Sequence, residues 1–471
     1  MRAYPVLRRI LALVIAAAVA GCALNPPPTT EQLRKDALPH TEIPPGWRAP
    51  GGAAAPVADR WLATFDDIAL TALVTEAQSY NADLAVAAAR VEQASAYVAV
   101  ASGSLWPAVG LAATQSGKSG GGGGLNAVFL NASLELDVWG RIRYGTAAAE
   151  AQSAAVQADY LCARQSLAAT VAKAWFIAIE AGLQRRIIGD AAHSSESLLK
   201  IAQERLRIGN GNEQTVAEAR ASAGSYQDML RQIDLSREQA LRALELLVGR
   251  YPAAEIAVAQ QLSPMPAAVS VGVPSELLER RPDVIAAERR VAAAFNRIGE
   301  AKAAMLPRIS LTAGGSSISS DVFVLQDRSN PAFSFGANLL APIYQGGTLR
   351  AQVDVRTAEQ KEAVASYART AQRSFAEVEN ALAAENALRD RDAILDANIN
   401  DNIRALDLVQ IQYRVGSVDF RAVAQNQIAL YNARMSLLRV QTERRAQRVN
   451  LYLALGGGFD APAMEPVAAQ Q

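Results

Sequence analysis

The 471-residue sequence predicts a mainly α chain with a small transmembrane β part, built from four strands and long paired helices. Three observations predict it: an internal duplication, four stretches of period-two alternation, and two helical stretches far longer than a globular core uses. Asn81-Ala-Asp83-Leu, Leu105-Trp-Pro107-Ala-Val-Gly-Leu111 and Leu206-Arg-Ile-Gly209 recur as Arg281-Pro-Asp283-Val, Leu306-Pro307-Arg-Ile-Ser-Leu311 and Tyr413-Arg-Val-Gly416. The offset is about 200 residues with the order kept, too long a period for a solenoid. Two equivalent halves, each with a strand pair and a helix pair, suit an object arranged around an axis.

At the N-terminus Arg2, Arg8 and Arg9 precede an apolar run from Ile10 to Ala20, too short to span a bilayer as a stable helix. Residues 1–21 therefore read as an export signal. The run ends in Val19-Ala20-Gly21-Cys22, the small-residue pattern that bacterial lipoproteins cleave before the cysteine, so Cys22 is expected to carry a covalent lipid. Ala23, where aspartate commonly marks inner-membrane retention, favours the outer membrane. Residues 22–66, with Pro26-Pro-Pro28, Pro44-Pro45 and Pro50-Gly-Gly52, are expected to form an extended tether rather than helix.

Repeat 1 then assigns 67–104 to a helix, with Asn81 or Asp83 available as its cap, and 105–140 to a hairpin. In that hairpin Leu105, Val109 and Leu111 oppose Ala108, Gly110 and Thr114, while Leu130, Ala132, Leu134, Leu136 and Val138 alternate with Asn131, Ser133, Glu135 and Asp137. Repeat 2 gives a helix over 276–304, entered at Pro282 where a missing N–H costs nothing, and a hairpin over 305–345. There Ile309, Leu311 and Ala313 oppose Ser310, Thr312 and Gly314, and Phe333, Phe335, Ala337 and Leu339 oppose Ser334, Gly336 and Asn338. Gly120–Gly124 and Ser316–Pro331 read as turns. Strands of about ten residues, greasy on one side and wet on the other, match a barrel wall between lipid and water. Four strands cannot close a barrel that needs about eight, and open edges in hydrocarbon strand backbone groups at several kcal/mol each. Several copies must share one barrel.

Each hairpin feeds a helix pair, 141–250 and 346–455, joined by a connector over 251–275 and followed by a tail, 456–471. The first arms, roughly Tyr144 to Ile208 and Gly347 to Val415, reach on the order of 100 Å at 1.5 Å per residue. Leu388, Leu395, Ile399, Ile403, Leu406, Val409 and Tyr413 step by three, four or seven, so one stripe faces neighbouring helices and Asp401, Arg404 and Asp407 face away. Gly182 and Gly189 are expected to mark a discontinuity in the first arm or a belt where outer and inner helices exchange.

Composition removes other classes. Lys plus Arg equals Asp plus Glu at 46 each, leaving no basic surplus for nucleic acid. His40 and His193 are the only histidines and neither lies in a ligand cluster, so metal sites and histidine catalysis lack support; no phosphate loop is present, and no cofactor or enzymatic activity is expected. Cys162, without a partner once Cys22 is lipidated, reads as a small buried helix residue.

The chain resembles the outer membrane factor family, the TolC-like export ducts, and within it the NodT-type lipoprotein branch. Val-Ala-Gly-Cys22, Leu136-Asp-Val-Trp-Gly-Arg141, Arg280-Arg-Pro-Asp283, Leu306-Pro307-Arg-Ile-Ser-Leu311 and Tyr413-Arg-Val-Gly416 carry the resemblance over nearly the whole mature chain. It implies a homotrimer in outer-membrane lipid, with a twelve-stranded β-barrel joined to a twelve-helix periplasmic α-barrel. It further implies a passive exit duct that docks a periplasmic adaptor and, through it, an inner-membrane transporter of the resistance-nodulation-division type or a related pump. A pore-free helical scaffold lipoprotein and a duct for type I protein secretion are the alternatives. The resemblance places the adaptor-binding tip at Arg207, Ile208, Gly209, Arg414, Val415 and Gly416, and gate candidates at Tyr413, Asp419, Arg421 and Gln425. Acidic residues that some members carry after the second glycine are here Ala422 and Gln425, and a frequent arginine is Val418, so strong cation selectivity is not expected. Asp419 and Arg421 are read as a substitute latch or a solvated pair. Six methionines without a cluster give no sign of a copper or silver specialist.

Overall fold

The alternation becomes one antiparallel sheet in the computed structural model, which describes residues 24–51, 57, 59–116, 125–320 and 332–458. The predicted signal 1–21, Cys22, the turn Gly120–Gly124 and the tail beyond residue 458 lie outside the described residues. The strands are β1 (Ala108–Ser116), β2 (Leu125–Leu136), β3 (Arg308–Ser320) and β4 (Ala332–Leu340), in the order β1-β2-β3-β4. Two strand assignments are corrected: Leu105 lies in the turn before Pro107, and Val138 in the turn that follows β2. Chain contacts divide into two compact units, Met1–Thr41 with Ala88–Asp159 and Asp283–Thr370, and Glu42–Ala87 with Tyr160–Pro282 and Ala371–Gln471. Each unit draws on both repeats, so the duplicated halves interleave rather than fold apart.

The first unit holds the sheet. Register keeps like faces together across all four strands: Val109 pairs with Ala132 and Leu111 with Leu130, Leu134 with Leu311 and Leu136 with Ile309, and Ile309 with Leu339 and Ala313 with Phe335. The opposite face sets Gly110 against Asn131, Ser133 against Thr312 and Ser310 against Asn338. Among the described side chains of the sheet only Ala127 is buried; Leu111 is 73 % and Phe335 88 % exposed. Among the described residues no helix covers the apolar face, which removes the reading of a half-buried sheet under helices. β1 and β4 are open edges.

Helix α1 (Thr30–Ala37) corrects the extended tether. Thr29 and Gln32 form a capping box, a local signal that overrides the surrounding prolines. Leu33 is buried, and the Thr30 hydroxyl donates to Glu288 at 2.9 Å. In the second unit the later part of the tether is also fastened: Arg48 and Ala49 donate their amides to Glu379 at 2.8 and 2.7 Å, and the Trp47 indole donates to the Val271 carbonyl at 3.0 Å.

The helix predicted over 67–104 is two, α2 (Ile68–Tyr80) and α3 (Ala82–Gly103). Asn81 breaks it by capping α3, accepting the Leu84 amide at 3.0 Å. α4 (Arg141–Arg207) and α5 (Glu213–Leu247) form the first long pair. α6 (Pro274–Arg280) and α7 (Pro282–Ala303) repeat the break at Arg281, and α8 (Thr348–Val415) and α9 (Phe420–Ala454) form the second pair. α4 runs unbroken through Gly182 and Gly189, correcting the expected discontinuity. A glycine costs an interior helix about 1 kcal/mol, little against the buried face on either side of these two.

The core of the second unit gathers Trp61 and Phe65 from a 3₁₀ turn (Trp61–Phe65), Leu70, Trp175, Phe176, Leu241 and Tyr452. Trp61 stacks on Tyr452 at 5.7 Å, and Phe65 lies 5.3 Å from Phe176. Each such side chain contributes about 2 kcal/mol by leaving water. Asp67 works twice, capping α2 through the Leu70 amide at 2.9 Å and accepting the Trp175 indole at 2.8 Å. The stripe on α8 faces inward as read: Leu388, Leu406, Val409 and Tyr413 are buried, while Asp401, Arg404 and Asp407 are exposed. Cys162, expected to be buried, is only partly so.

Candidate functional site

Where β2 meets α4 the sequence Leu136-Asp-Val-Trp-Gly-Arg141 forms a joint inside the first unit. Asp137 accepts the Ile142 and Arg143 amides, both at 2.9 Å, and so caps the helix as the strand ends. Arg141 grips Glu135 with two bonds, 3.1 and 2.9 Å. That carboxylate holds the Arg141 guanidinium above its ordinary pKa, against an opposing push from burial. The Trp139 indole donates to the Pro307 carbonyl at 2.8 Å, tying the first joint to the entry of β3. Gly140 takes φ +75°, a left-handed turn that redirects the chain from strand to helix. On α7, Gly299 leaves room for Tyr144: a Cβ there would stand 2.5 Å from the ring. A small residue at this crossing thus permits close approach of the two helices.

At the far ends of the long helices, within the second unit, the two reversals are built alike. After α4, Gly209 at φ +78° lets its own amide reach the Leu206 carbonyl at 3.0 Å and the Asn210 amide reach that of Arg205 at 2.8 Å. After α8, Gly416 at φ +83° gives 3.1 Å from its amide to Tyr413 and 3.0 Å from Ser417 to Gln412. This is the glycine C-cap motif, which satisfies the last carbonyls of each helix. Asn212 then caps α5, accepting the Thr215 amide at 2.8 Å, and Asp419 caps α9, accepting that of Ala422 at 3.0 Å.

Asp419 is therefore committed to its own helix, which corrects the latch with Arg421. Arg421 instead meets Glu218 of α5 at 3.5 Å, an exposed pair. Tyr413 is buried, 3 % exposed, edge-on to Phe420 at 6.2 Å, in a cluster with Leu198, Val216, Leu406 and Val423. Its hydroxyl is buried without a partner. Val418 packs partly buried against the same cluster, so an apolar side chain fills the place of the charge that the resemblance expected. Gln425 is exposed.

The residue that joins the two reversals was missed in the sequence. Arg205 donates to the carbonyls of Tyr413 and Arg414 at 3.0 and 3.3 Å, and its guanidinium lies 4.7 Å from the Tyr413 ring centre. Both contacts spend its charge on the end of α8, where the helix dipole is negative. Its counterpart in the second repeat is Gln412, so the duplication offered no hint; the only signal was a basic residue in the last turn. Arg207 turns back to Glu204 at 2.9 Å, lowering that carboxyl through the hydrogen bond. The tips themselves present Ile208, 55 % exposed, and Val415, 76 % exposed. Among the described residues no group of acidic, histidine or cysteine side chains is placed to hold a metal ion.

The outer membrane efflux protein family model matches the chain over residues 73–250 and 273–457, one stretch for each repeat. The chain is 30 % identical to the pyoverdine export outer membrane protein OpmQ of Pseudomonas putida, over 96 % of this chain and 98 % of that one. It is 28 % identical to the cation efflux system protein CusC of Escherichia coli, over 96 % and 99 %. Among solved structures, the open state of the Neisseria gonorrhoeae MtrE outer membrane channel superposes with a TM-score of 0.76 at 27 % identity, covering 93 % of this chain and 98 % of that one. The outer-membrane channel OprN gives 0.79 at 26 %, covering 89 % and 99 %. The chain belongs to the outer membrane efflux protein family and is an outer-membrane channel component of efflux.

Proposed function

We propose that three copies of this chain share one barrel and form a passive exit duct, coupled through a periplasmic adaptor to an inner-membrane pump. The open-edged sheet carries this reading. Four strands with an exposed apolar face in register, and unpaired edges at β1 and β4, are stable in hydrocarbon only when neighbouring copies complete the ladder. No chemistry is assigned to the duct. Cys22 carries the lipid that anchors the tether, and the pump, not the duct, selects the cargo. Relatives named for pyoverdine export and for cation efflux support that division of labour.

Arg207, Ile208, Gly209, Arg414, Val415 and Gly416 are the proposed adaptor contacts, because the reversals expose apolar tips beside guanidinium groups. Gating is a shift between two packings of the tip. We assign to the closed packing the hold of Arg205 on the end of α8, Tyr413 in the cluster beneath it and Arg421 on Glu218; Gln425 is the remaining gate candidate.

Purified protein reconstituted in planar bilayers tests the duct. Heat-modifiable trimers and ion conductance are expected, with Arg205→Ala raising the open fraction; monomers that fail to insert would leave a pore-free scaffold as the reading. Gly416→Pro is expected to weaken adaptor-dependent export with trimers intact. Cys22→Ala is expected to abolish labelling with a radioactive fatty acid, and persistent labelling would place the anchor elsewhere.

A further inference from the structure

Beside the connector, in the second unit, the chain's charge balance fails locally. A cavity of about 590 Å³ is lined by Arg186 of α4, Arg444 and Arg445 of α9, and Gln260, Gln441 and Leu262, with Asp392 of α8 as the one carboxylate. Three guanidinium groups thus face a single negative charge in a protein that is neutral overall. Among the described residues no acid pairs with Arg445. It donates to the Ser263 carbonyl at 2.8 and 2.5 Å and to the Gln441 carbonyl at 2.7 Å. Burial, with the like charge of Arg444 adding to it and Asp392 opposing, pulls its pKa down to about 10. Arg186, on the exposed rim, reaches only Gln260, at 3.4 Å.

The Asp392–Arg444 pair is incomplete on both sides. Each side chain is about a fifth exposed, at 23 % and 18 %, and they pair through Oδ2 of Asp392. Oδ1 of Asp392 and Nε of Arg444 have no partner. One atom needs a donor and the other an acceptor, and a buried group left so costs about 1–3 kcal/mol.

We propose that this cavity binds a partly protonated tetrahedral oxyanion of the phosphate type. Its acceptor oxygens answer the guanidinium groups, and its one P–OH donates to Asp392 as that side chain and Arg444 turn toward the cavity they line. Sulfate has the same shape but no proton at neutral pH, so it offers Asp392 only a repelling oxygen. Hydrogenphosphate is therefore preferred over sulfate. Bound there, it neutralises the surplus charge that the connector and α9 otherwise hold together.

The test uses the intact protein in detergent, titrated calorimetrically at pH 7 with inorganic phosphate and, separately, with sodium sulfate at matched ionic strength. Phosphate is expected to bind at least about tenfold more tightly than sulfate. Arg444→Gln is expected to abolish phosphate binding, and Arg186→Gln, at the exposed rim where refolding risk is small, to weaken it about tenfold. Asp392→Asn, nearly isosteric, is expected to close the gap between the two anions because its amide can donate to either. Circular dichroism and a melt without anion check that each variant is folded. Equal affinity of the wild type for both anions, or phosphate binding unchanged by Arg444→Gln and Arg186→Gln, would overturn the proposal.

Discussion

Asn81 and Arg281 stand at the same place in the two repeats and hold the same kind of atom by different chemistry. Asn81 donates to the Leu247 carbonyl at 2.9 Å, at the end of α5. Arg281 donates to the Ala454 carbonyl at 3.1 Å, at the end of α9, and adds an ion pair with Glu377 at 2.8 Å. Behind each carbonyl a left-handed glycine turns the chain, Gly249 at φ +80° and Gly456 at φ +67°. The backbone of the joint is duplicated faithfully while its side chains have diverged. Geometry is what both copies must share to close one body, since a carbonyl at a helix end needs a donor of some kind but not a particular one.

The comparison can be broken where the two copies differ most. Arg281→Ala removes a largely buried guanidinium, leaving Glu377 to Arg373, and is expected to cost more than the about 1–3 kcal/mol of Asn81→Ala in denaturant melts of the detergent-solubilised protein. Equal losses would show that the Glu377 pair adds nothing. Next come the glycines. Alanine at either strains the left-handed backbone by about 1–2 kcal/mol. At Gly249 the added Cβ would also meet the Tyr80 carbonyl oxygen at 2.6 Å, whereas at Gly456 the nearest atom is at 3.3 Å. Gly249→Ala is therefore expected to exceed Gly456→Ala by about 1–3 kcal/mol in the same melts.

At the reversals the copies should behave alike. Asn212→Ala and Asp419→Ala each lose an N-cap worth about 1 kcal/mol. Asp419→Ala and Arg421→Ala should combine additively to within about 0.5 kcal/mol. A larger coupling in that cycle would restore the latch that the structure replaces with a cap.

The smallest effect concerns acid. Glu245 is buried; burial raises its pKa, but the amides of Ala254, Glu255 and Ile256, at 2.6, 2.6 and 3.2 Å, outweigh that and leave it lowered. A lowered folded pKa means this clamp on the connector is fully present above the unfolded value and is lost as pH falls through the folded one. The equivalent place in the second repeat is Tyr452, stacked on Trp61, so no carboxylate stands there. Hydrogen exchange as the pH falls below the ordinary carboxylate range should therefore loosen residues 253–256 before the Trp61 neighbourhood, and Glu245→Gln should remove the pH dependence.

Much of the fold was legible because its signals are local. Alternation set the four strands and their faces, and the spacing of Leu388 to Tyr413 set the buried stripe. Pro282, Gly209 and Gly416 marked helix ends that the chain uses. The errors arose where a short local signal was outweighed by a broader one: Thr29 and Gln32 nucleate a helix inside a proline-rich segment, and Asn81 caps a new helix within an apparently continuous pattern. Gly182 and Gly189 erred the other way, as breakers overruled by the buried face around them.

The sequence by itself determined the four strands, the long helices and the two glycine reversals, because dihedral preference, capping and hydrophobic period act over a few residues. It determined the duplication as well, and with it the pairing of equivalent joints. Only the tertiary structure decided that β2 pairs with β3, that Arg205 reaches the end of α8, that Arg421 meets Glu218, and that Arg186, Arg444 and Arg445 line one cavity with a single carboxylate. Those depend on which side chains arrive together from distant parts of the chain, and spacing along a sequence carries no information about distance across a packed interface.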